Sequence, residues 1–353
     1  MTTSNKRLSY EIPVKNTWFH TLTKANQSFE TSAHFRNGRF HNEHAPDIKH
    51  SRIKILKWLM SRKNNSWNVD IDQEFKNFLA QDHEVPTTLH TNEGDQPQWR
   101  VWFVGHATVL IQIGPYNFLT DPMWSDHAGP RPGTGPRRVC PAGIALENLP
   151  EIHGVLLSHN HYDHMDIATL EWLDDAFKMP IYTGLGNGHY LPNHFNVIEL
   201  DWWQSAMFKD FEIVYTPAQH GSGRGIRDQN AALWGGFCVR QDEQYVYFAG
   251  DTGYSPHFKE IYAKFGAPRV ALLPIGAYAP RKIMKYLHMD PDDALKAHMD
   301  LQSHRSVALH YRTFQLTDEG RLAPEEVLEE SISQASKLMN PFYCIHEGRK
   351  LIV

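Results

Sequence analysis

Between His159 and His164 the chain packs three imidazoles and a carboxylate into one short stretch, His159-Asn160-His161-Tyr162-Asp163-His164. The apolar run Val155-Leu156-Leu157 stands just ahead of it, and a helix-like segment from Ile167 to Phe177 follows. The motif therefore sits on a loop that leaves a strand end and enters a helix. His159 and His161, two apart in an extended loop, can point the same way. Asp163 and His164 fall in the turn beyond, where they can face a second point. Neutral imidazole and carboxylate are the usual ligands of zinc and similar divalent metals. The bland alternative is a surface loop rich in histidine, since the chain carries 22 His. Ligand type and spacing favour a metal.

A chain of 353 residues can hold one large domain, or a domain with a substantial extension. The net charge of −5 gives no nucleic-acid footprint. Cys140, Cys238 and Cys344 are odd in number and far apart, which argues against a disulfide framework and fits a reducing, cytoplasmic compartment. Residues 1–15 lack the apolar core of a secretory signal, and no run of eighteen apolar residues exists to span a membrane. The segment from Ile53 to Met60 is amphipathic. It could lie on a membrane surface, but packing against the protein's own body is the commoner use of such a segment. Residues 83–98 read as a linker. These features divide the chain into an N-terminal extension, residues 1–95, packing on a main body, residues 96–353.

From Trp99 the character changes to short strands. Trp99 to Val104, Thr108 to Ile113 and Tyr116 to Thr120 read as strands, with Gly114-Pro115 as a hairpin turn. His106 could be a ligand, although a buried, hydrogen-bonded histidine is the expected reading. Beyond the histidine motif, strands are expected at Pro180 to Thr183, Val197 to Leu200, Phe211 to Thr216, Ala232 to Val239, Tyr245 to Ala249, Val270 to Pro274, Ser306 to Leu309 and Leu351 to Val353. Helices are expected at Pro291 to Leu301, with Asp290 as N-cap, and at Pro324 to Leu338. The glycine-rich stretch Gly184-Leu185-Gly186-Asn187-Gly188 lacks the Lys-Ser/Thr of a phosphate loop and reads as a turn.

Candidate ligands recur at strand ends: His159, His220, Asp251 and His310 each follow a strand-like run. Singly, each of the last three is a weak signal. If the strands are neighbours, their ends meet on one edge. With the cluster they make seven ligand-type residues, enough for two metals with one carboxylate bridging.

The pattern His-X-His-X-Asp-His, followed by single His, Asp and His at strand ends, resembles the metallo-β-lactamase superfamily. The resemblance extends to one branch, the N-acylphosphatidylethanolamine-hydrolysing phospholipase D and its bacterial relatives. It is carried by Val104 to Leu110, Leu119-Thr120-Asp121-Pro122, Glu199-Leu200-Asp201-Trp202-Trp203, Ala249 to Tyr254 and Leu273-Pro274-Ile275-Gly276-Ala277-Tyr278. It implies an α+β fold, a four-layered αββα sandwich with a dinuclear site at the edge of two sheets. It implies one metal on His159, His161 and His220, a second on Asp163, His164 and His310, and Asp251 bridging. Two divalent ions, Zn2+ first among them, are the expected cofactors. The implied activity is a zinc-dependent phosphodiesterase of phospholipase D type. Its partners would be a phospholipid substrate, peripheral contact with a membrane, and a second copy of the chain as a homodimer.

In such a site Asp163 and Asp251 would hold the geometry and accept a proton. His288, in His288-Met289-Asp290, is the candidate for a phosphate contact or leaving-group acid, against a structural role near a helix start. Tyr254 and Tyr278 are candidates to line the pocket. The sequence departs from the animal enzyme at Gly221, at Tyr311-Arg312, at Ala279 and Lys282, and at Leu287. None of these is a metal ligand, but they bear on pocket shape. Two alternatives stay open: a hydrolase of a lactone, thioester or small phosphodiester on the same site, and a lipid-binding module with a spent site. The complete ligand set argues against the second. A di-iron oxygen-reducing site would be expected to carry Glu at position 161.

Overall fold

The computed structural model describes residues 29, 31–44, 58, 67, 69–90, 96–335 and 340–353. The apolar alternation along the strands sets the layers. In β3 (Trp99–Gly105), Trp99, Val101 and Phe103 face one side, while Trp102 and Val104 face the other, and all are buried. A strand covered on both faces belongs between two layers, and that is where it lies.

The first sheet continues through β4 (Thr108–Ile113), β5 (Tyr116–Thr120), β6 (Gly154–Leu157), β7 (Ile181–Gly184) and β8 (Val197–Leu200), in the order β16-β3-β4-β5-β6-β7-β8 with β16 (Arg349–Ile352) at one edge. The second sheet runs β15-β14-β13-β12-β11-β10-β9. Its members are β9 (Ser205–Phe208), β10 (Phe211–Thr216), β11 (Gly236–Gln241), β12 (Gln244–Phe248), β13 (Val270–Pro274), β14 (Ser306–Leu309) and β15 (Phe342–Tyr343). The inner faces of the sheets meet in one core that includes Phe103, Ile111, Phe118, Tyr182, Tyr215 and Phe237. Helix α2 (Ile167–Phe177) buries Leu170 and Leu173 on the outer face of the first sheet. On the second sheet lie α3 (His257–Phe265), α5 (Pro291–Leu301) and α6 (Ala323–Gln334), with the short α4 (Arg281–Met284) beside them. The result is the expected four-layered αββα sandwich. Helix α5 starts as expected, with Asp290 Oδ1 accepting from the Asp293 amide at 2.9 Å.

The described part of residues 29–90 packs on this body. The hairpin β1 (Phe35–Arg36) and β2 (Arg39–Phe40) places Phe40 fully buried in the inter-sheet core. Helix α1 (Ile71–Leu79) is tied to the body by Arg321 and Glu74 at 2.9 Å. Of the amphipathic segment 53–60 only Trp58 is described, its Nε1 donating to Asp318 Oδ2 at 2.5 Å; the remainder lies outside the described residues.

The strand expected at Ala232 to Val239 begins only at Gly236. Ahead of it the Leu233 and Gly235 amides bond to Leu185 and Ser158 of the first sheet's loops, so this stretch crosses between the sheets instead of extending a ladder. Elements β1, β2, β9, β15, α1, α3 and α4 carry no expectation from sequence. In α3, Phe258, Ile261 and Phe265 stand at helical spacing, a pattern that was there to be read.

Candidate metal centre

Strands β6, β10, β12 and β14 end on the same edge of the sandwich. These strands are not all neighbours in one sheet. The first lies in one sheet, and the other three alternate along the other sheet, separated by β11 and β13. Their donors meet because the two sheets face each other. The backbone is bent sharply here: His106, Asp121, Ala277 and His310 all have φ between 31° and 61°, a region non-glycine residues rarely adopt. Close approach also dictates Gly276, where an added Cβ would lie 2.1 Å from the His310 carbonyl oxygen.

Two donor sets result. In the first, His161 Nδ1 lies 2.7 Å from His159 Nε2 and 3.2 Å from His220 Nε2. In the second, His164 Nε2 and His310 Nε2 are 3.2 Å apart. His164 Nε2 is 3.4 Å from Asp163 Oδ2 and 3.1 Å from Asp251 Oδ2. His310 Nε2 is 3.4 and 3.2 Å from the same two oxygens. Tetrahedral donors held about 2.0–2.1 Å from an ion stand roughly 3.3–3.4 Å from each other, so these five separations are close to the edges of a single divalent site. Asp251 Oδ2 is also 3.7 Å from His220 Nε2, which places it between the two sets. Its other oxygen, Oδ1, is buried without a hydrogen-bond partner among the described residues. The second set fits a divalent ion on these edges, and the three imidazole nitrogens of the first, all within 4.8 Å of one another, fit one by donor type and proximity.

The electrostatics separate the sets. Burial holds His159 well below the usual imidazole range, His161 at about 4 and His220 at about 3, so these rings are neutral and ready to donate lone pairs. In the second set burial disfavours every charge, yet the groups stabilise one another. Asp251 and Asp163 hold His164 well above the ordinary range, and Asp251 with Asp163 pushes His310 up to about 9. His164 in turn is the main group that keeps both carboxylates ionised against burial. A buried pair of carboxylates needs positive charge beside it, and a divalent ion supplies that charge directly.

A buried carboxylate orients one ring in each set. Asp121 Oδ2 accepts from His164 Nδ1 at 2.6 Å and from Ser158 Oγ at 2.6 Å. The Ser158 hydroxyl accepts from His159 Nδ1 at 2.8 Å. Both Nε2 lone pairs are thereby aimed at the centre. His220 Nδ1 donates to the Leu287 carbonyl at 2.8 Å. His106 is buried and bonds to Asp163 Oδ2 at 3.0 Å, with its ring 4.1 Å from that of His310. In the sequence Asp121 stands out only as part of the segment Leu119-Thr120-Asp121-Pro122, without a role. Its signal is the Asp-Pro that closes an apolar strand, β5, which pairs in the sheet with the motif strand β6.

All seven candidate ligands lie in this cluster. His288 lies at its edge, with Nδ1 3.8 Å from Asp251 Oδ2 and its ring 4.9 Å from His220. Tyr254 does not join it: its hydroxyl donates to Asp300, and its ring stacks on Phe258. Tyr278 is half-buried near Glu319, with burial pushing its hydroxyl up to about 12, and among the described residues no hydrogen bond or ring contact ties it to the cluster.

Residues 116–311 match the family model described as a beta-lactamase superfamily domain. The chain is 33% identical over 287 residues to the N-acyl-phosphatidylethanolamine-hydrolyzing phospholipase D 1 of Caenorhabditis elegans, covering 77% of this chain and 80% of that one. It is 38% identical over 230 residues to an uncharacterized protein of Mycobacterium tuberculosis, covering 63% of this chain but spanning only 61% of that relative's length. Among solved structures, an isothiocyanate hydrolase from Delia radicum gut bacteria matches with TM-score 0.56 at 22% identity, over 71% of this chain and 98% of that one. That likeness is one of fold.

Proposed function

The chain belongs to the beta-lactamase superfamily, and from that premise we propose that it is a zinc-dependent phosphodiesterase of phospholipase D type. Its substrate in this reading is N-acylphosphatidylethanolamine, cleaved to N-acylethanolamine and phosphatidic acid. The observation that carries the reading is the position of Asp251 between two complete donor sets, in a chain one-third identical to a phospholipase of that name. His159, His161 and His220 would hold one ion, Asp163, His164 and His310 the other, and Asp251 both. The hydrolase unit would be residues 96–353, with 1–95 as an extension packed on it.

Two such ions, when bound, supply Lewis acidity and lower the pKa of water towards neutrality. The chain's own residues do the rest. Asp121, Ser158 and the Leu287 carbonyl fix the direction of the rings. Asp163 and Asp251 stay ionised, which suits them to hold the geometry and to accept a hydrogen bond from water. Burial lowers His288 to about 3, so it is neutral at working pH. A neutral ring at the rim is better suited to donate a hydrogen bond to a phosphoryl oxygen than to protonate a leaving group.

A phospholipid is presented at a membrane, so peripheral contact is part of this reading. Ile55→Glu with Leu59→Glu should reduce liposome binding if segment 53–60 makes that contact; unchanged binding would remove it. The reaction itself is tested by mixing zinc-loaded protein with N-acylphosphatidylethanolamine micelles, with His310→Ala as control. Release of both products by the parent alone supports the proposal. No release from protein with bound zinc would move the assignment to a lactone, thioester or smaller phosphodiester.

A further inference from the structure

We propose that Asn42, from the N-terminal extension, is a positioning residue for His220, an inference that rests on the reading of His220 as a metal ligand. His220 lies beyond the end of β10, where the ladder has stopped. Its peptide groups are paired instead by a side chain 178 residues upstream. Asn42 Oδ1 accepts from the His220 amide at 3.0 Å, and Asn42 Nδ2 donates to the His220 carbonyl at 2.9 Å. A carboxamide carries one acceptor and one donor side by side, so it can satisfy both groups of a residue at once. Oδ1 takes a second bond from Trp234 Nε1 at 3.1 Å, and that indole also donates to the Ala218 carbonyl at 3.0 Å.

These contacts fix the main chain from which the imidazole projects, while the Leu287 carbonyl fixes rotation of the ring. Asn42 is itself held. The preceding Phe40 is fully buried, its amide bonds to the Asn230 carbonyl at 2.8 Å, and Arg39 Nη2 donates to the Arg227 carbonyl at 2.6 Å. Asp at position 42 would keep the acceptor and lose the donor; Ala would lose both. The other rings of the cluster owe their orientation to residues within 96–353. His220 alone among them, in the described residues, is tied by its backbone to the extension.

The test is zinc competition against a chromophoric chelator, with thermal unfolding of the full chain with and without zinc. Partners of this kind change metal affinity by roughly 10–100-fold. Asn42→Ala should weaken one of two zinc equivalents by about that factor, leave the other unchanged, and shrink the zinc-induced rise in Tm. Arg39→Ala cuts the same arm without touching His220 and should keep parent affinities. If Asn42→Ala does not fold, Asn42→Asp must show the same selective weakening. Parent affinities in both Asn42 variants, or equal weakening in the Asn42 and Arg39 variants, would overturn the proposal. A parent that binds two zinc ions and releases no lipid product overturns the substrate reading and leaves the role of Asn42 standing. A parent that binds neither ion overturns both.

Discussion

The two donor sets lie side by side and are built on opposite principles. His159, His161 and His220 form a neutral trio whose pKa values are depressed by burial, held through a serine hydroxyl, a backbone carbonyl and the N-terminal arm. Asp163, His164, His310 and Asp251 form a charged quartet in which carboxylates and imidazoles stabilise each other. The trio needs no proton to be stable, and the quartet holds protons that an ion must displace. Binding at one should therefore depend on geometry, and at the other on pH.

Asp251 belongs to both, so its removal is the strongest way to break the contrast. Asp251→Ala should abolish the difference by disabling both halves. Several kcal/mol of transition-state stabilisation would go, or on the order of 10³-fold in kcat/KM. Zinc stoichiometry measured on the purified variant should fall with it. Retention of two tightly bound ions would show that Asp251 is not shared.

Asp121 reaches one ring in each half, directly at His164 and through Ser158 at His159. Asp121→Asn replaces an acceptor-only group with one that must present a donor to Ser158 or His164. Both zinc equivalents should weaken by roughly 10–100-fold in a competition titration. Weakening confined to the His164 half would mean that the hydroxyl bridge to His159 carries no orientation.

The legibility of the site in sequence follows the same division between donors and their supports. The motif from His159 to His164 was plain because four donors in six residues have few other uses. His220, Asp251 and His310 could be read only as strand ends, and which strands adjoin is a tertiary fact that local pattern does not contain. Short apolar runs bounded by turn residues made β3 to β6 readable, and cap chemistry made α5 readable. Asp121 and Asn42 gave little, because each acts through another residue far away in the chain. His106 was legible as a buried histidine but not as the partner of Asp163. Tyr254 looked like pocket lining because it follows the Asp251 loop, and only packing reveals that it turns to Asp300.

The pH dependence sharpens the contrast more gently. His310 at about 9, and His164 well above the ordinary range, each carry a proton near neutrality when no ion is bound. An ion must displace these protons, so affinity at the quartet should rise with pH, by roughly tenfold per unit for each proton, up to about pH 9. The trio, already neutral, should be flat from pH 6 to 8. The folded-state pKa values of His310 and His164 are raised. Their contribution to the stability of the metal-free chain is thus full below the unfolded imidazole value, about 6.5, and that of His310 is lost as pH rises through about 9. Calorimetric zinc titrations in buffers of different ionisation enthalpy read the released protons. Equal proton release from both equivalents would erase the distinction.

The smallest effect is expected where neither half is touched. Tyr254 follows Asp251 by three residues, close enough in sequence to suggest a place in the pocket. Its hydroxyl, however, donates to Asp300 on α5, and Lys296 Nζ lies 4.3 Å from its ring centroid. Tyr254→Phe keeps the stack on Phe258 and removes only that bond. Such a bond at a partly exposed position is worth about 1 kcal/mol. The variant should lose about that much stability in denaturant titration, while kcat/KM and both zinc affinities stay within about twofold of the parent. A large fall in kcat with stability intact would mean that the ring or its hydroxyl turns towards substrate, and the boundary drawn around the two halves would have to be widened.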